Sequence, residues 1–325
     1  AIALQPELAE AHNNLGVTLK ARGRVVEAEQ RYKQALVLDP QYSEAAFKLG
    51  ILLFECGRYK EAAKQFEATN HENSSLYSIR CSYLLDSEYV FLEKLNLLKG
   101  PDAVNAVVGS LVNCINIRRG TRRSNPFCSD PLLYVITTHL PSLYNFEKVF
   151  GTPARRVLLD EEQGLKDQGH LTNGKQTAGN IFSRKEFREA GTENIIRCEI
   201  DKYKKSFRDS REGFINQWPE RYELFGWLIE MKNGGNLSAH MHDSGWITGS
   251  VYINVPAKSN ANSGDLVLCV GDEENSVGEN SGDEKIINTT TGRLCLFPSS
   301  LRHYTVPFQS LENRVVLAFD VIPIS

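Results

Sequence analysis

Three histidines and one arginine near the end of this 325-residue chain have the types and spacing of a metal site. His240 and His242 stand two apart in His-Met-His. On a strand, that spacing turns both imidazoles to one face, within reach of a single ion. His303 follows a predicted strand, Leu294-Cys-Leu-Phe-Pro298, and a short turn. Arg314 opens the next apolar run, Arg-Val-Val-Leu-Ala-Phe-Asp, eleven positions after His303. Imidazole suits iron, zinc, copper and nickel, so the ligand type does not choose the metal. His12, His71, His139 and His170 have no such spacing and read as ordinary packed or exposed residues.

The elements that must position these residues are β-like. From Tyr222 the pattern alternates with period two, and further runs follow at 247–255, 265–270, 293–297 and 314–321. Gly, Asn, Ser and Pro clusters separate them, and no helical pattern intervenes. Several short strands in succession predict a sandwich or jelly roll. Before them, 184–209 reads as helix, 171–182 as a turn-rich polar stretch, and 101–114 as a helix. The acidic segment 271–285 reads as an exposed loop without the ligand spacing of a calcium loop. Arg118, Arg119, Arg122 and Arg123 surround Gly120 without interleaved aromatics, the pattern of a solvated loop.

The N-terminal part repeats. Gly16 and Gly50, Ala28 and Ala62, Tyr32 and Phe66, and Pro6 and Pro40 are each 34 residues apart. The spacing resembles the tetratricopeptide repeat, in which small residues mark helix crossings and an aromatic fills the gap between them. Each such unit buries its apolar face only against a neighbour. Residues 1–5 read as the tail of a preceding helix, and 75–95 as a degenerate continuation that closes the stack.

Composition sets the outer bounds. Hydrophobic residues make up 41% and charged residues 24%, which excludes a disordered chain or a rod. A net charge of −3 gives no electrostatic case for nucleic acid, and no apolar run is long enough to span a membrane. Seven scattered cysteines with no C-x-x-C pair argue against a disulfide framework or a structural zinc site and read as reduced residues. The reading is a cytoplasmic protein, unless an address signal lies upstream. The chain begins at Ala1, inside a repeat, so more repeats are expected before it.

Residues about 165–325 resemble the iron(II)/2-oxoglutarate-dependent oxygenases, which have a double-stranded β-helix (jelly-roll) core. The resemblance rests on His240-Met-His-Asp-Ser-Gly-Trp-Ile-Thr-Gly-Ser-Val-Tyr-Ile-Asn-Val-Pro256 and Gly264-Asp-Leu. It continues in Gly292-Arg-Leu-Cys-Leu-Phe-Pro-Ser-Ser-Leu-Arg-His303 and Asn313-Arg-Val-Val-Leu-Ala-Phe319. The Arg that opens the last run is also similar to the aspartyl/asparaginyl β-hydroxylase branch. The resemblance implies iron(II), 2-oxoglutarate as cosubstrate, and O₂. It implies oxidative decarboxylation to succinate and CO₂, coupled to hydroxylation of a substrate. It also implies that Arg314 clamps a 2-oxoglutarate carboxylate, a fork geometry that Lys could not reproduce.

The sequence departs from the family in one respect. The position two after the first ligand is usually Asp or Glu and is here His242. Three ligand sets remain open: His240, His242 and His303 together; His242 and His303 with the carboxylate place empty at Ser244; or a set that includes Asp243. The i, i+2 geometry favours the first, because Asp243 on a strand would face away from its neighbour. Tyr252, Asn173 and Gln176 are further candidates for cosubstrate contacts, while Tyr304 and Asn180 are weaker.

The expected architecture is therefore α+β multidomain. Helical tetratricopeptide repeats occupy residues 1–95, a helical connector 96–164, and a jelly-roll oxygenase-like domain with flanking helices 165–325. The expected function is hydroxylation of a protein or peptide that the repeats recruit, with no nucleic-acid or membrane partner. Two other readings stand beside it: a cupin-type metalloenzyme that does not use 2-oxoglutarate, and a non-catalytic repeat-based binding module.

Overall fold

A computed structural model describes residues 7–160, 165–271 and 283–324. The expected helix tail at 1–5 and most of the acidic loop at 271–285 lie outside the described residues, as does Pro6. The chain divides into two compact units, Ala1–Ala103 and Val104–Ser325. Residues 104–160 thus belong to the same unit as the strands.

The first unit is helical. Its helices are α1 (Ala9–Ala21), α2 (Val25–Leu38), α3 (Ser43–Glu55), α4 (Tyr59–Glu67), α5 (Ser74–Leu84) and α6 (Glu88–Leu97). The 34-residue period has a steric cause. A Cβ at Gly16 would lie 2.6 Å from the Tyr32 ring, and one at Gly50 would lie 2.6 Å from the Phe66 ring. Both rings are buried, so each glycine lets a neighbouring helix deliver an aromatic against bare backbone. The turns repeat as well: Arg24 bonds Glu27 as Arg58 bonds Glu61. α5 packs on α4 and α6 on α5, so the degenerate segment continues the stack.

The second unit is a pair of antiparallel sheets with helices. The larger sheet holds β1 (Ile136–His139), β2 (Leu165–Lys166), β3 (Leu171–Thr177), β4 (Tyr222–Leu237), β5 (Ile247–Asn254), β8 (Arg293–Pro298) and β10 (Arg314–Pro323). Its order is β1-β8-β5-β10-β4-β3-β2. The smaller sheet, β7-β6-β9, is built from β6 (Leu266–Cys269), β7 (Glu284–Ile287) and β9 (Arg302–Thr305). This is the expected jelly-roll class with flanking helices.

β10 shows why the core sits where it does. Val315, Leu317, Phe319 and Val321 are buried with Phe187, Ile196 and Ile200 of the helices α9 (Lys185–Ala190) and α10 (Thr192–Ser206). The alternate residues Arg314, Val316, Ala318, Asp320 and Ile322 line a cavity on the other face. Period-two alternation thus assigns one side of the strand to packing and the other to chemistry.

Two local expectations are corrected. Residues 171–177 form a strand rather than turns; β3 pairs with β4 across a register shift at Asn173, whose φ is +49°. This irregularity gives the segment its turn-like composition. The helix expected at 101–114 is α7 (Ala106–Arg119). Pro101 lies in a 3₁₀ turn ahead of it, Asn105 caps it by accepting from Val107 N at 2.8 Å, and left-handed Gly120 ends it. Arg118 and Arg119 occupy its last turn, where the helix dipole favours cations.

All seven cysteines are free in the structure. Among the described residues, no helix is long and apolar enough to cross a membrane.

The Gly50 contact yields a direct test. Gly50→Ala should destabilise the helical unit by about 1–3 kcal/mol through overpacking against Phe66, measured by urea unfolding. An unchanged midpoint would contradict the close-approach argument.

Candidate metal centre

The loop between β4 and β5 carries His240-Met-His242, and β9 carries His303. The His pair does not lie on a regular strand as expected. β4 ends at Leu237, and His240 instead forms a single antiparallel bridge to His303. His240 N donates to His303 O at 3.1 Å, and His303 N to His240 O at 2.8 Å. That bridge brings the two sequence-distant histidines together.

The three rings converge. Their centroids are 5.2 Å apart for His240–His242, 4.4 Å for His240–His303 and 4.9 Å for His242–His303. One ring nitrogen from each falls within 4.8 Å of the others, as required of ligands to one ion. Among the described residues, no Asp, Glu or Cys joins this group. Asp243 and Ser244 line the same cavity.

Hydrogen bonding orients two of the rings. His240 Nδ1 lies 2.8 Å from Ser238 O, and His242 Nδ1 lies 2.7 Å from Asp320 Oδ1. With a carbonyl and a carboxylate as partners, both Nδ1 atoms act as donors, which leaves the Nε2 lone pairs for a metal. His303 Nδ1 is buried and unpaired. Burial pulls His240 down to about 4 and His303 well below its ordinary value, so both are neutral bases at neutral pH. Burial also pulls on His242, but the charge and hydrogen bond of Asp320 outweigh it and the net shift is upward.

The cavity has a volume of about 430 Å³. Arg314 and Tyr252 line it, and both are buried. Arg314 Nη2 donates to Gly264 O at 3.1 Å, Nη1 lies 3.8 Å from Met231 Sδ, and Nε has no partner. The guanidinium carbon sits 5.1 Å from the Tyr252 ring centre. Gln176 also lines the cavity from β3. Asn173 is exposed at the register shift and donates to Asn233 O at 3.3 Å, outside the lining residues. Asn180 is a structural cap that accepts from Phe182 N and Gly226 N. Tyr304, beside His303 on β9, is not among the lining residues.

Sequence reasoning missed several cavity residues. Trp227 packs its ring 5.4 Å from that of His242. His170 lies nearly parallel to His240, with centres 5.2 Å apart. Asp320 carries the strongest available signal, as a lone charge inside an apolar strand pattern.

Residues 226–320 match the family model described as "Putative 2OG-Fe(II) oxygenase", and residues 1–75 match that of the tetratricopeptide repeat. The C-terminal unit carries a 2OG-Fe(II) oxygenase domain. Domains of this family use iron(II) and 2-oxoglutarate. Solved structures similar to the oxygenase-bearing part include a Pseudomonas putida prolyl-4-hydroxylase, at 15% identity and a TM-score of 0.40, over 59% of this chain and 93% of that one. Another is HygX from Streptomyces hygroscopicus with nickel and 2-oxoglutarate bound, at 13% identity and a TM-score of 0.41, over 58% of this chain and 82% of that one. The repeat protein YrrB, described as having an unusual peptide-binding site, aligns at 18% identity and a TM-score of 0.33, over 37% of this chain and 64% of its own. No curated protein matches the chain.

The oxygenase domain's buried histidines make its metal-free stability depend on pH. His240 is depressed in the folded state, so the unfolded chain binds the extra proton between its ordinary value and about 4. Metal-free protein should therefore lose stability as pH falls from roughly 6.5 to 4, read by urea melts across that range. His240→Gln should flatten part of that slope; an identical slope would remove His240 as its source.

Proposed function

We propose that the oxygenase domain hydroxylates a protein or peptide recruited by the helical repeats. In this reading His240, His242 and His303 hold iron(II), and Arg314 grips the distal carboxylate of 2-oxoglutarate. The observation that carries it is Arg314, a guanidinium at 2% exposure whose Nε has no partner and whose nearest acidic influence, Asp265, is itself ion-paired to Lys258. A buried charge is costly unless paired, so a ligand carboxylate is the natural complement. The same cavity holds three imidazoles with lone pairs available for an ion. Bound iron(II) and 2-oxoglutarate would supply the oxidising chemistry of the family.

The chain's own residues divide the remaining work. Arg314 has an Nε–H without a partner, and its guanidinium carbon lies over the face of Tyr252. Burial raises the Tyr252 phenol, so it stays protonated and neutral beside the cation. Met231, Leu266 and Val316 give the cavity apolar walls that exclude water and strengthen the charge contact. Phe225 and Trp227 line the cavity from β4, while Lys166, Gln168 and Gln176 line it from β2, β3 and the turn between them. This mixed lining suits a side chain presented on a peptide. The aspartyl/asparaginyl β-hydroxylase likeness would restrict that side chain further, and it rests on the position of Arg314 at the start of β10.

An all-imidazole set also occurs in cupin-type enzymes that do not use 2-oxoglutarate, and Arg314 separates the two readings. Arg314→Ala should weaken 2-oxoglutarate binding to the cobalt(II)- or iron(II)-loaded protein by at least about tenfold, the loss of one charge-assisted bidentate contact. Metal affinity should stay within about twofold. Anaerobic titration followed by the iron-to-2-oxoglutarate charge-transfer absorption reads both. Unchanged 2-oxoglutarate affinity would favour the cupin reading, and a wild-type chain that takes up no metal would favour a binding module.

The recruiting role of the repeats has its own test. Gly50→Val, which drives branched carbon into the Phe66 ring, should raise KM for a protein substrate while leaving substrate-free 2-oxoglutarate turnover unchanged. Succinate formation measures the turnover, and mass spectrometry of the added oxygen measures hydroxylation. An unaltered KM would remove the repeats from substrate delivery.

A further inference from the structure

We propose that Asp320 is the positioning residue of the metal centre. It supplies, one hydrogen bond away from the His242 ring, the negative charge that a three-imidazole ligand set lacks. The inference rests on the metal-site reading above and assigns a role to a residue outside the ligand set. Asp320 is buried near the end of β10, on the same face as Arg314. Its Oδ1 accepts from His242 Nδ1 at 2.7 Å and from Thr248 Oγ1 at 2.9 Å. Thr248 in turn lies 2.8 Å from Ser299 Oγ. The loop after His242 packs onto this network: a Cβ at Gly245 would fall 2.5 Å from Ser299 Oγ and 3.3 Å from Asp320 Oδ1.

This arrangement does two things to His242. It holds the ring by Nδ1, so Nε2 has one direction in which to point. It also places a carboxylate against the imidazole, which makes the ring a stronger electron donor. A His-His-carboxylate set brings one negative charge to a divalent ion, whereas three neutral imidazoles bring none. Asp320 restores that charge through His242 without occupying a coordination position. Asp243 is adjacent in sequence and would look like the natural substitute, yet it lies outside the ligand group, while Asp320 is 78 residues away and directly bonded.

A purely structural role for Asp320, through Thr248, makes different predictions, so three variants of the full chain decide the matter. Asp320→Asn keeps shape and an acceptor but removes the charge. Asp320→Ala removes the contact altogether. Thr248→Val removes the hydroxyl that donates to Asp320 and lies 3.5 Å from His242 Nδ1, while the charged Asp320–His242 contact at 2.7 Å keeps both its partners. Cobalt(II) affinity is measured anaerobically by calorimetry, with the ligand-field absorption recorded and thermal unfolding of each metal-free variant as the folding control. We expect Asp320→Asn to weaken cobalt(II) about tenfold and Asp320→Ala about 10–100-fold, the range for such outer partners, with a shifted absorption. Thr248→Val should bind within about twofold of wild type, even if it melts earlier. Asp320→Asn binding within twofold of wild type, with an unshifted absorption, overturns the charge role while leaving the metal site standing. Equal loss in Thr248→Val and Asp320→Asn reduces Asp320 to packing. A folded wild-type chain that binds no cobalt(II) removes the metal site and this role with it.

Discussion

A buried guanidinium, Arg314, lines the cavity and forms no ion pair with any described residue. Burying Arg314 removes its hydration, and one carbonyl, one thioether and one aromatic face are poor replacements. The strand that carries Arg314 is held on both edges. β10 is that strand, paired with β4 on one side and β5 on the other. The order of the larger sheet places it centrally, and the apolar residues of its opposite face anchor it to the helices.

The same strand couples the two ends of the site. Arg314 and Asp320 are six residues apart, an even number, so both side chains emerge on the cavity face. One end therefore carries a buried positive group, and the other a carboxylate bonded to the His242 imidazole. Val316 and Ala318 between them are apolar and line the same cavity. A one-residue slip of β10 would exchange this face for the packed one, which is why register is closely specified here.

The histidines depend on a second constraint, the bridge between the loop after β4 and strand β9. Reciprocal backbone bonds between His240 and His303 hold residues 63 positions apart at the distance a shared ion needs. The helical unit meets its packing demand differently. Bare glycine backbone at Gly16 and Gly50 admits buried rings, and the contact recurs because the sequence does.

Local periodicity made much of this protein legible in its sequence. The 34-residue repeat, the alternation that predicts β-structure from Tyr222, the His-x-His pair and the Arg that opens β10 are all short-range patterns. Each reflects a steric or geometric rule that acts within a few residues or one repeat. Tertiary structure decided which faces meet. Gln176 lines the cavity while Asn173, three residues earlier and beside the register shift, does not, because an odd separation along β3 puts the two on opposite faces. The strand at 171–177 was hidden by the composition of that irregularity. Asp320 could be seen as a charge out of place in an apolar run, but only the central position of β10 shows that it meets His242. Strand pairing brings together residues far apart in sequence, and a pattern read along one strand carries no record of the partner it faces.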